Sequence, residues 1–489
     1  MMSLSHPTWN WFSIVPIMPE LFLVVSAIGL LMLGVFQKTP SAYRIGIAAI
    51  IATLFTAGFV AYTNFPRMTV LNNMVVVDGF ARHFKFLILG GFFFALCLSL
   101  SDLKDKIFNR FEIPVIMMIA TAGMMLMVSA NNLLSLYVSL ELQSLSLYVL
   151  AAARRDHISS SEAGLKYFIL GALSSGLLLF GMSLIYGYVG SIDFDVLSYT
   201  FLQNQGSLSI GVIFGIAFIL AGLAFKISAV PFHMWAPDVY QGAPHFITSF
   251  FAIVPKIAAF GLFIRLLAGP FAPAIVEWSQ IILFLSIASM VVGAFAGIAQ
   301  NDLKRLLAYS SIGNMGYALM GLLSGTPESL GSTILYLTIY MIATAGTFGL
   351  LLMNYKNDTH ETPINKLAGL SKQHPLMAYG FAILLFSVAG IPPFAGFFGK
   401  LFLFQSVVEG GFIITAVIGV LASVVSAYYY IRLIKIMFFD EPQGEIVVHL
   451  SPARVFVVSL SLFITILFIL FPNYLLHHSL IAAQNLFGS

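Results

Sequence analysis

Charge is scarce in this chain. Only 9% of its 489 residues are Asp, Glu, Lys or Arg, against about 25% in soluble domains, so it lacks the polar surface that water demands. There is a single cysteine, Cys97, which excludes an internal disulfide framework, a CxxC redox pair and a cysteine-ligated iron–sulfur cluster held by this chain alone. Cys97 lies in an apolar run and reads as filler. The sequence has no GxxxxGK, no GxGxxG at a strand–helix junction and no HExxH, and so none of the common phosphate-cradling, dinucleotide or zinc-hydrolase devices. His477 and His478 stand side by side near the carboxyl end, but two ligands make a poor metal site. The stretch from Met1 to Trp11 has no Lys or Arg and resembles neither a signal peptide nor a transit peptide.

Hydrophobic residues make up 59% of the chain. A spanning helix needs roughly 20 mostly apolar residues. Such stretches recur near 15–36, 43–62, 81–100, 112–130, 132–152, 163–188, 208–232, 246–267, 278–299, 304–323, 330–353, 376–405, 412–437 and 454–471. The expected fold class is therefore an all-α integral membrane protein of about fourteen transmembrane helices, with no room for a soluble domain. Alternate loops then carry Lys38, Arg44, Lys104, Lys106, Arg110, Arg154, Arg155, Lys304, Arg305, Lys356, Lys366, Lys372, Arg432, Lys435 and Arg454 on one face. The other face has only Arg67, Arg82 and Arg265. The positive-inside rule puts the first face in the cytoplasm and both termini outside.

The expected organisation is a three-helix segment (1–111), two five-helix blocks (112–268 and 277–437) and a last helix with a tail (438–489). Five is odd, so the second block starts on the opposite face from the first, which is the pattern of an inverted-topology repeat. The fourth helix of each block is interrupted by proline near a lysine, in FKISAVPFHMWAP (225–237) and AGIPPFAGFFGKLF (389–402). Proline frees backbone groups that must be buried in protein or wetted. The second helix of each block carries a polar stripe, Tyr137, Glu141, Ser144 and Tyr148 in the first and Ser310, Asn314 and Tyr317 in the second, each on one helical face. Such stripes can simply hold a bundle together.

Five lysines fall inside the expected spans: Lys85, Lys166, Lys226, Lys256 and Lys400. Lys85 is near a helix end, where a long stem can snorkel to water. Lys166 is near an end as well. Lys256 and Glu141 lie near mid-span, where a charge costs roughly 2.5–3.5 kcal/mol even on the permissive insertion scale. A membrane protein keeps such groups paired, hydrated or for a function. Removing water disfavours the charged form of any amine or carboxyl, and an opposite charge restores it. An ion pair at about 4 Å is worth roughly 4 kcal/mol at an effective dielectric of 20, so forming or breaking one can load or unload a buried amine. The plainer alternative is that the lysines cap broken helices. His233 and His245 flank the first break, and an imidazole can pass protons between water and an amine.

The stretch KISAVPFHMWAPDVYQGAP (226–244), followed by VPKIAAFG (254–261), resembles the proton-translocating, antiporter-like subunits of respiratory complex I. SLELQSLSLYVL (139–150), EAGLKYFILGA (162–172), NDLKRLLAYSSIGNMGY (301–317) and SVAGIPPFAGFFGK (387–400) extend the resemblance over about 78–435. Within that family, PDVYQGAP is closer to the N branch than to the longer L and M branches. The resemblance implies discontinuous seventh and twelfth helices and roles for particular residues. Glu141 and Lys166 become a modulating pair, Lys226 the central channel lysine, Lys256 the connecting lysine, Lys400 the terminal lysine and His233 the histidine after the break. Asn314 stands where many relatives have histidine, and asparagine cannot titrate.

The resemblance implies a subunit of a proton-pumping NADH-quinone oxidoreductase with no redox centre of its own. FMN, iron–sulfur clusters and quinone belong on other subunits, and no cofactor or metal on this chain. The implied partners are other membrane-arm subunits and the lipid bilayer, with no nucleic acid, and the implied place is the bacterial inner membrane. A subunit of a multisubunit cation/proton antiporter is the alternative, and a scaffold whose lysines never titrate is a third reading.

Overall fold

The computed structural model describes residues 14–37, 41–355 and 361–487. Lys38, Lys356 and the stretch 1–11 lie outside them. The chain runs through α1 (Met18–Phe36), α2 (Ala42–Tyr62), a hairpin of β1 (Met68–Val70) and β2 (Val75–Val77), α3 (Gly79–Ser99), α4 (Glu112–Val128), α5 (Leu133–Ala151), α6 (Ile158–Val189) and α7 (Phe194–Gln203). It continues through α8 (Ile210–Lys226), α9 (Trp235–Gly242), α10 (His245–Ala268), α11 (Ile275–Ile298), α12 (Leu303–Met320), α13 (Pro327–Asn354) and α14 (Leu370–Gln373). The remaining helices are α15 (Pro375–Ala389), α16 (Ala395–Glu409), α17 (Ile413–Phe439), α18 (Pro452–Leu467) and α19 (Pro472–Gln484). Among the described residues, 10 helices are long and apolar enough to cross a membrane, and α4, α8 and α15 are shorter apolar helices. The fold is that of an all-α integral membrane protein. The hairpin, α7 and α19 were not expected from the hydropathy.

Helix starts follow local chemistry. Asp78, Asn132, Ser209, Asp302 and Ser451 each accept a hydrogen bond from the backbone N–H three residues on, which satisfies donors that a helix leaves free at its first turn. The apolar stretches of α10 and α13 are 100% buried, while those of α1, α2, α6, α17 and α18 are less than 40% buried. α10 and α13 are therefore the pillars of the bundle, and the outer helices turn Val25, Ile51, Phe168, Ile414 and Val424 outward, as a lipid-facing wall requires.

Among the described residues, two spans are interrupted. The helix expected at 208–232 ends at Lys226 and resumes as α9, and the one expected at 376–405 ends at Ala389 and resumes at Ala395. In the first break, Ser228 has φ 57°, a left-handed conformation that a non-glycine residue adopts only where its surroundings hold it there. The freed backbone groups find partners: the Trp235 indole donates to Phe225 O (2.9 Å), and the Val230 N–H donates to Ser289 Oγ (2.9 Å). In the second break, Gly390 has φ 87°, and a Cβ there would sit 2.9 Å from Cδ of Lys400. Glycine at 390 thus serves both the turn and the space for the lysine stem.

A matched detail links the two halves. Asn132 bridges Asp193 in antiparallel fashion and Asp302 bridges Pro363, both positions shifted by the same 170 residues. Leu133 N–H donates to Ile192 O (3.0 Å), and Leu303 N–H donates to Thr362 O (2.7 Å).

Among the described residues, three ion pairs are buried. Lys85 does not snorkel: it is 4% exposed and pairs with Glu20 of α1 at 2.6 Å. Arg454, expected in a loop, lies within α18, donates to Asp102 Oδ2 (2.5 Å) and Leu352 O (2.8 Å), and is 2% exposed. Arg265, likewise expected in a loop, lies within α10 and forks onto both oxygens of Asp78 (2.9 and 3.0 Å). Asp78 itself precedes α3, outside the spans. Burial pushes its carboxyl up, but Arg265, the Ala81 N–H and Arg67 outweigh that and hold it below its ordinary value of 3.8. A carboxyl depressed by folding contributes stability that is present above its unfolded pKa and lost as pH falls through the folded one. The pair should therefore be intact from neutral pH down to about 4 and fail below that. Asp78→Asn leaves Arg265 buried without its counter-charge, so thermal unfolding at pH 7 should show a loss of about 3–5 kcal/mol. The acid-induced drop in unfolding temperature should shrink in the same variant. Equal stability at pH 7 would contradict the assignment.

Candidate functional site

Lys226 is the last residue of α8, placed where the helix stops. It is 6% exposed. Its Nζ donates to Ser144 Oγ (2.9 Å) and Tyr148 OH (3.4 Å), two members of the stripe on α5. Gly171 of α6 lies against the Tyr148 hydroxyl, and a side chain at 171 would displace it. Among the described residues, no carboxylate lies within ion-pairing distance of Lys226. Glu141, a turn from Ser144 on the same stripe, accepts a hydrogen bond from Ser175 of α6.

Lys256 sits in the middle of α10 and is 1% exposed. It donates to Ser311 Oγ, which also accepts from Tyr340 OH of α13 (2.6 Å), and its Nζ lies 5.4 Å from the centre of the Tyr240 ring. Lys400 of α16, 5% exposed, donates to Ala389 O (3.0 Å) and Ser423 Oγ (2.9 Å) and lies 4.7 Å from the centre of the Tyr317 ring. Lys400 thus caps the carbonyl freed by the second break, as the plainer reading of the lysines expects. Like Lys226, neither amine has a described carboxylate within ion-pairing distance. Between Lys256 and Lys400 lies a set of hydroxyls and one amide. Tyr336 OH donates to Asn314 Oδ1 (2.6 Å), Asn314 Nδ2 donates to Ser310 O (2.7 Å), and Ser310 Oγ and Tyr430 OH are 2.5 Å apart. Asn314 is held in place by these bonds, which suits a polar side chain that orients its neighbours and carries no charge.

The structure departs from the implied arrangement at Lys166. Its Nζ is bound to Asp238 Oδ2 (2.8 Å) and Glu162 Oε1 (2.7 Å) and not to Glu141. Ser175, which holds Glu141, is nine residues further along α6, or about 13 Å at 1.5 Å per residue, beyond the span of one lysine side chain. His233 is half-buried in the first break and hydrogen-bonds none of these lysines, and His245 is buried at the start of α10.

Several residues that shape the site do not stand out in the sequence. Lys304 reads there as a loop charge, yet it is in the first turn of α12, 0% exposed, and donates to Gln241 O (2.5 Å) and Ala243 O (3.0 Å) at the end of α9. Asp238, Arg305, Ser311, Tyr336, Tyr340, Ser423 and Tyr430 were missed as well. A signal for the tyrosines was available: Thr333, Tyr336, Tyr340, Thr344 and Thr347 recur at helical spacing along α13.

Broken spans that bring lone buried amines to mid-bundle, in a wall of lipid-facing helices, define a membrane ion translocator of antiporter-like architecture. The chain belongs to the NADH:quinone oxidoreductase/Mrp antiporter transmembrane family, whose description matches residues 130–426. A protein of Rhodospirillum rubrum named NADH-quinone oxidoreductase subunit N is 51% identical to it over 428 residues, 87% of this chain and 88% of that one. A chain of respiratory complex I from Thermus thermophilus superposes with a TM-score of 0.81 at 31% identity, covering 94% of this chain and 99% of that one. A chain of the Mrp complex from Dietzia sp. DQ12-45-1b has the same fold, with a TM-score of 0.82 at 21% identity over 97% of this chain and 98% of that one.

Proposed function

We infer that the chain is a proton-translocating membrane-arm subunit of NADH-quinone oxidoreductase, of the subunit N type. The observation that carries the mechanism is the burial of Lys226, Lys256 and Lys400 with hydroxyl, carbonyl and ring partners but no described carboxylate in ion-pairing distance. Each amine sits beside groups that can hand on a proton. Glu141 and Lys166 bias the row from the side of the first block, and His233 joins it to water at the break. The input arrives from other membrane-arm subunits, because electron transfer through FMN, iron–sulfur clusters and quinone belongs to other chains of the complex. Moving one charge against 100 mV takes roughly 2.3 kcal/mol, which is within the roughly 4 kcal/mol of a single partly buried ion pair.

The division into two inverted five-helix repeats, 112–268 and 277–437, is supported by the matched bridges 170 residues apart and by the interrupted fourth span of each block. Pairing α8 with α9 and α15 with α16, and adding α12 to the long apolar helices and α4, gives fourteen spans. The basic loop bias supports a reading with both termini on the outer face of a bacterial inner membrane.

Reconstituting the purified chain alone in proteoliposomes separates this function from that of a self-contained cation/proton antiporter. The expected result is no sodium- or potassium-driven proton flux above that of empty vesicles, with pumping seen only in the whole complex. Cation-coupled flux by the chain alone would contradict it.

A further inference from the structure

Asp238 lies on α9, the inner half of the first broken span, and its two carboxylate oxygens are claimed from opposite halves of the molecule. Lys166 of α6 holds Oδ2 at 2.8 Å, and Arg305 of α12 holds Oδ1 at 2.7 Å. Arg305 also donates to Gln241 Oε1 (3.0 Å), and the buried Lys304 grips the carbonyls of Gln241 and Ala243. The short helix α9 is thus fastened by three cations, one from the first block and two from the second. Beside it a cavity of about 300 Å³ is lined by Glu162, Lys166, Asp238, Gln241, Arg305 and Glu361. This lining is polar, and the cavity lies on the face that carries the basic loops. From the start of α9 the chain leads back through the strained turn at Ser228 to Lys226.

We propose that Asp238 is the counter-ion that keeps the inner mouth of the first half closed, tying Lys166 and Arg305 to α9 and so setting whether the polar cavity communicates with Lys226. The bridge is only partly buried, with side-chain exposures of 42% for Lys166, 34% for Asp238 and 28% for Arg305, so water reaches it and it can be broken and remade. Because Asp238 has two cationic partners, losing Lys166 does not strand its charge. Arg305 remains on Asp238 and Glu162 remains on Lys166, so opening the Lys166–Asp238 bridge leaves neither group without a partner. Lys304 keeps the far end of α9 fixed while the Asp238 end moves. Asp238 is in this sense a positioning residue: it touches no proton on the row of buried amines but governs access to the first of them. This inference rests on the proton-translocating reading above and assigns to Lys166 a partner other than Glu141.

The test uses the whole complex in proteoliposomes and reads protons moved per NADH oxidised, passive proton leak and the amount of assembled complex. Asp238→Asn should keep assembly but lower the proton-to-electron ratio by at least about fivefold, the scale of a modest coupling free energy between sites, and raise the leak. Asp238→Glu, which restores the charge, should recover most of the ratio. Lys166→Met combined with Asp238→Asn should cost less than the sum of the two single losses, because either substitution breaks the Lys166–Asp238 bridge. Either an unchanged ratio in Asp238→Asn, or less assembled complex with a normal ratio per complex, would overturn the proposal while leaving the row of lysines standing if Lys226→Met has lost pumping. Normal pumping by Lys226→Met would overturn the reading on which the proposal rests, and the proposal with it.

Discussion

Lys226→Met is expected to leave the complex assembled while cutting proton pumping, and with it coupled quinone reductase activity, by at least about tenfold, which corresponds to roughly 1.4 kcal/mol on the limiting barrier. Assembly should survive because the substitution strands nothing. Ser144 keeps its bond to Leu140 O (2.7 Å), and methionine fills an unbranched path of similar length. Pumping should not survive, because Lys226 is the one amine at the point where the first span breaks, and methionine binds no proton. Glu141→Gln should lower pumping in the same direction. Its carboxyl meets the Ser175 hydroxyl, so an amide fits the position but cannot carry the charge. Pumping is checked by acidification inside proteoliposomes and assembly by native gel.

The second large effect is expected at Lys256, and here stability and function should move in opposite directions. α10 is buried along its whole apolar length, and the amine of Lys256 has Ser311 and the Tyr240 ring for company. An unpaired charge at mid-membrane costs roughly 2.5–3.5 kcal/mol. Lys256→Met should therefore give a complex at least as resistant to thermal unfolding as the parent, with Ser311 still bonded to Tyr340 (2.6 Å), yet one that moves fewer protons per NADH. A lysine kept only for structure would give the reverse: a less stable complex that pumps normally. Thermal unfolding and pumping measured on one preparation distinguish the two.

How far the sequence revealed this depends on where each residue's partner comes from. Lys226, Lys256 and Lys400 were visible because a charge inside twenty apolar residues stands out without any knowledge of the fold. The breaks were visible because proline announces them. The stripe Ser144 and Tyr148 was visible as helical spacing, although spacing alone could not say that it meets Lys226, 82 and 78 residues away. Lys85 was misread because its place near a helix end suggested water, whereas its partner is Glu20 on α1. Lys304 and Arg305 looked like loop charges because they open α12, and nothing local shows that α9 returns to lie against them. Asp238 was hidden for the same reason. It is the one formal charge between Lys226 and Lys256, but in PDVYQ it reads as part of a polar turn after the break, and its importance comes from α6 and α12 converging on it. Pairings between distant helices are tertiary facts, and one sequence carries no direct trace of them.

The most direct test of the central claim is the number of protons released at the outer face per NADH oxidised, measured in proteoliposomes with the Lys256→Met complex beside the parent. If protons cross this chain along its buried amines, the variant should be assembled and thermally sound and should release fewer protons per NADH than the parent. An unchanged number in an intact complex would mean that no proton depends on Lys256, and a row of amines broken at its middle could not be the route.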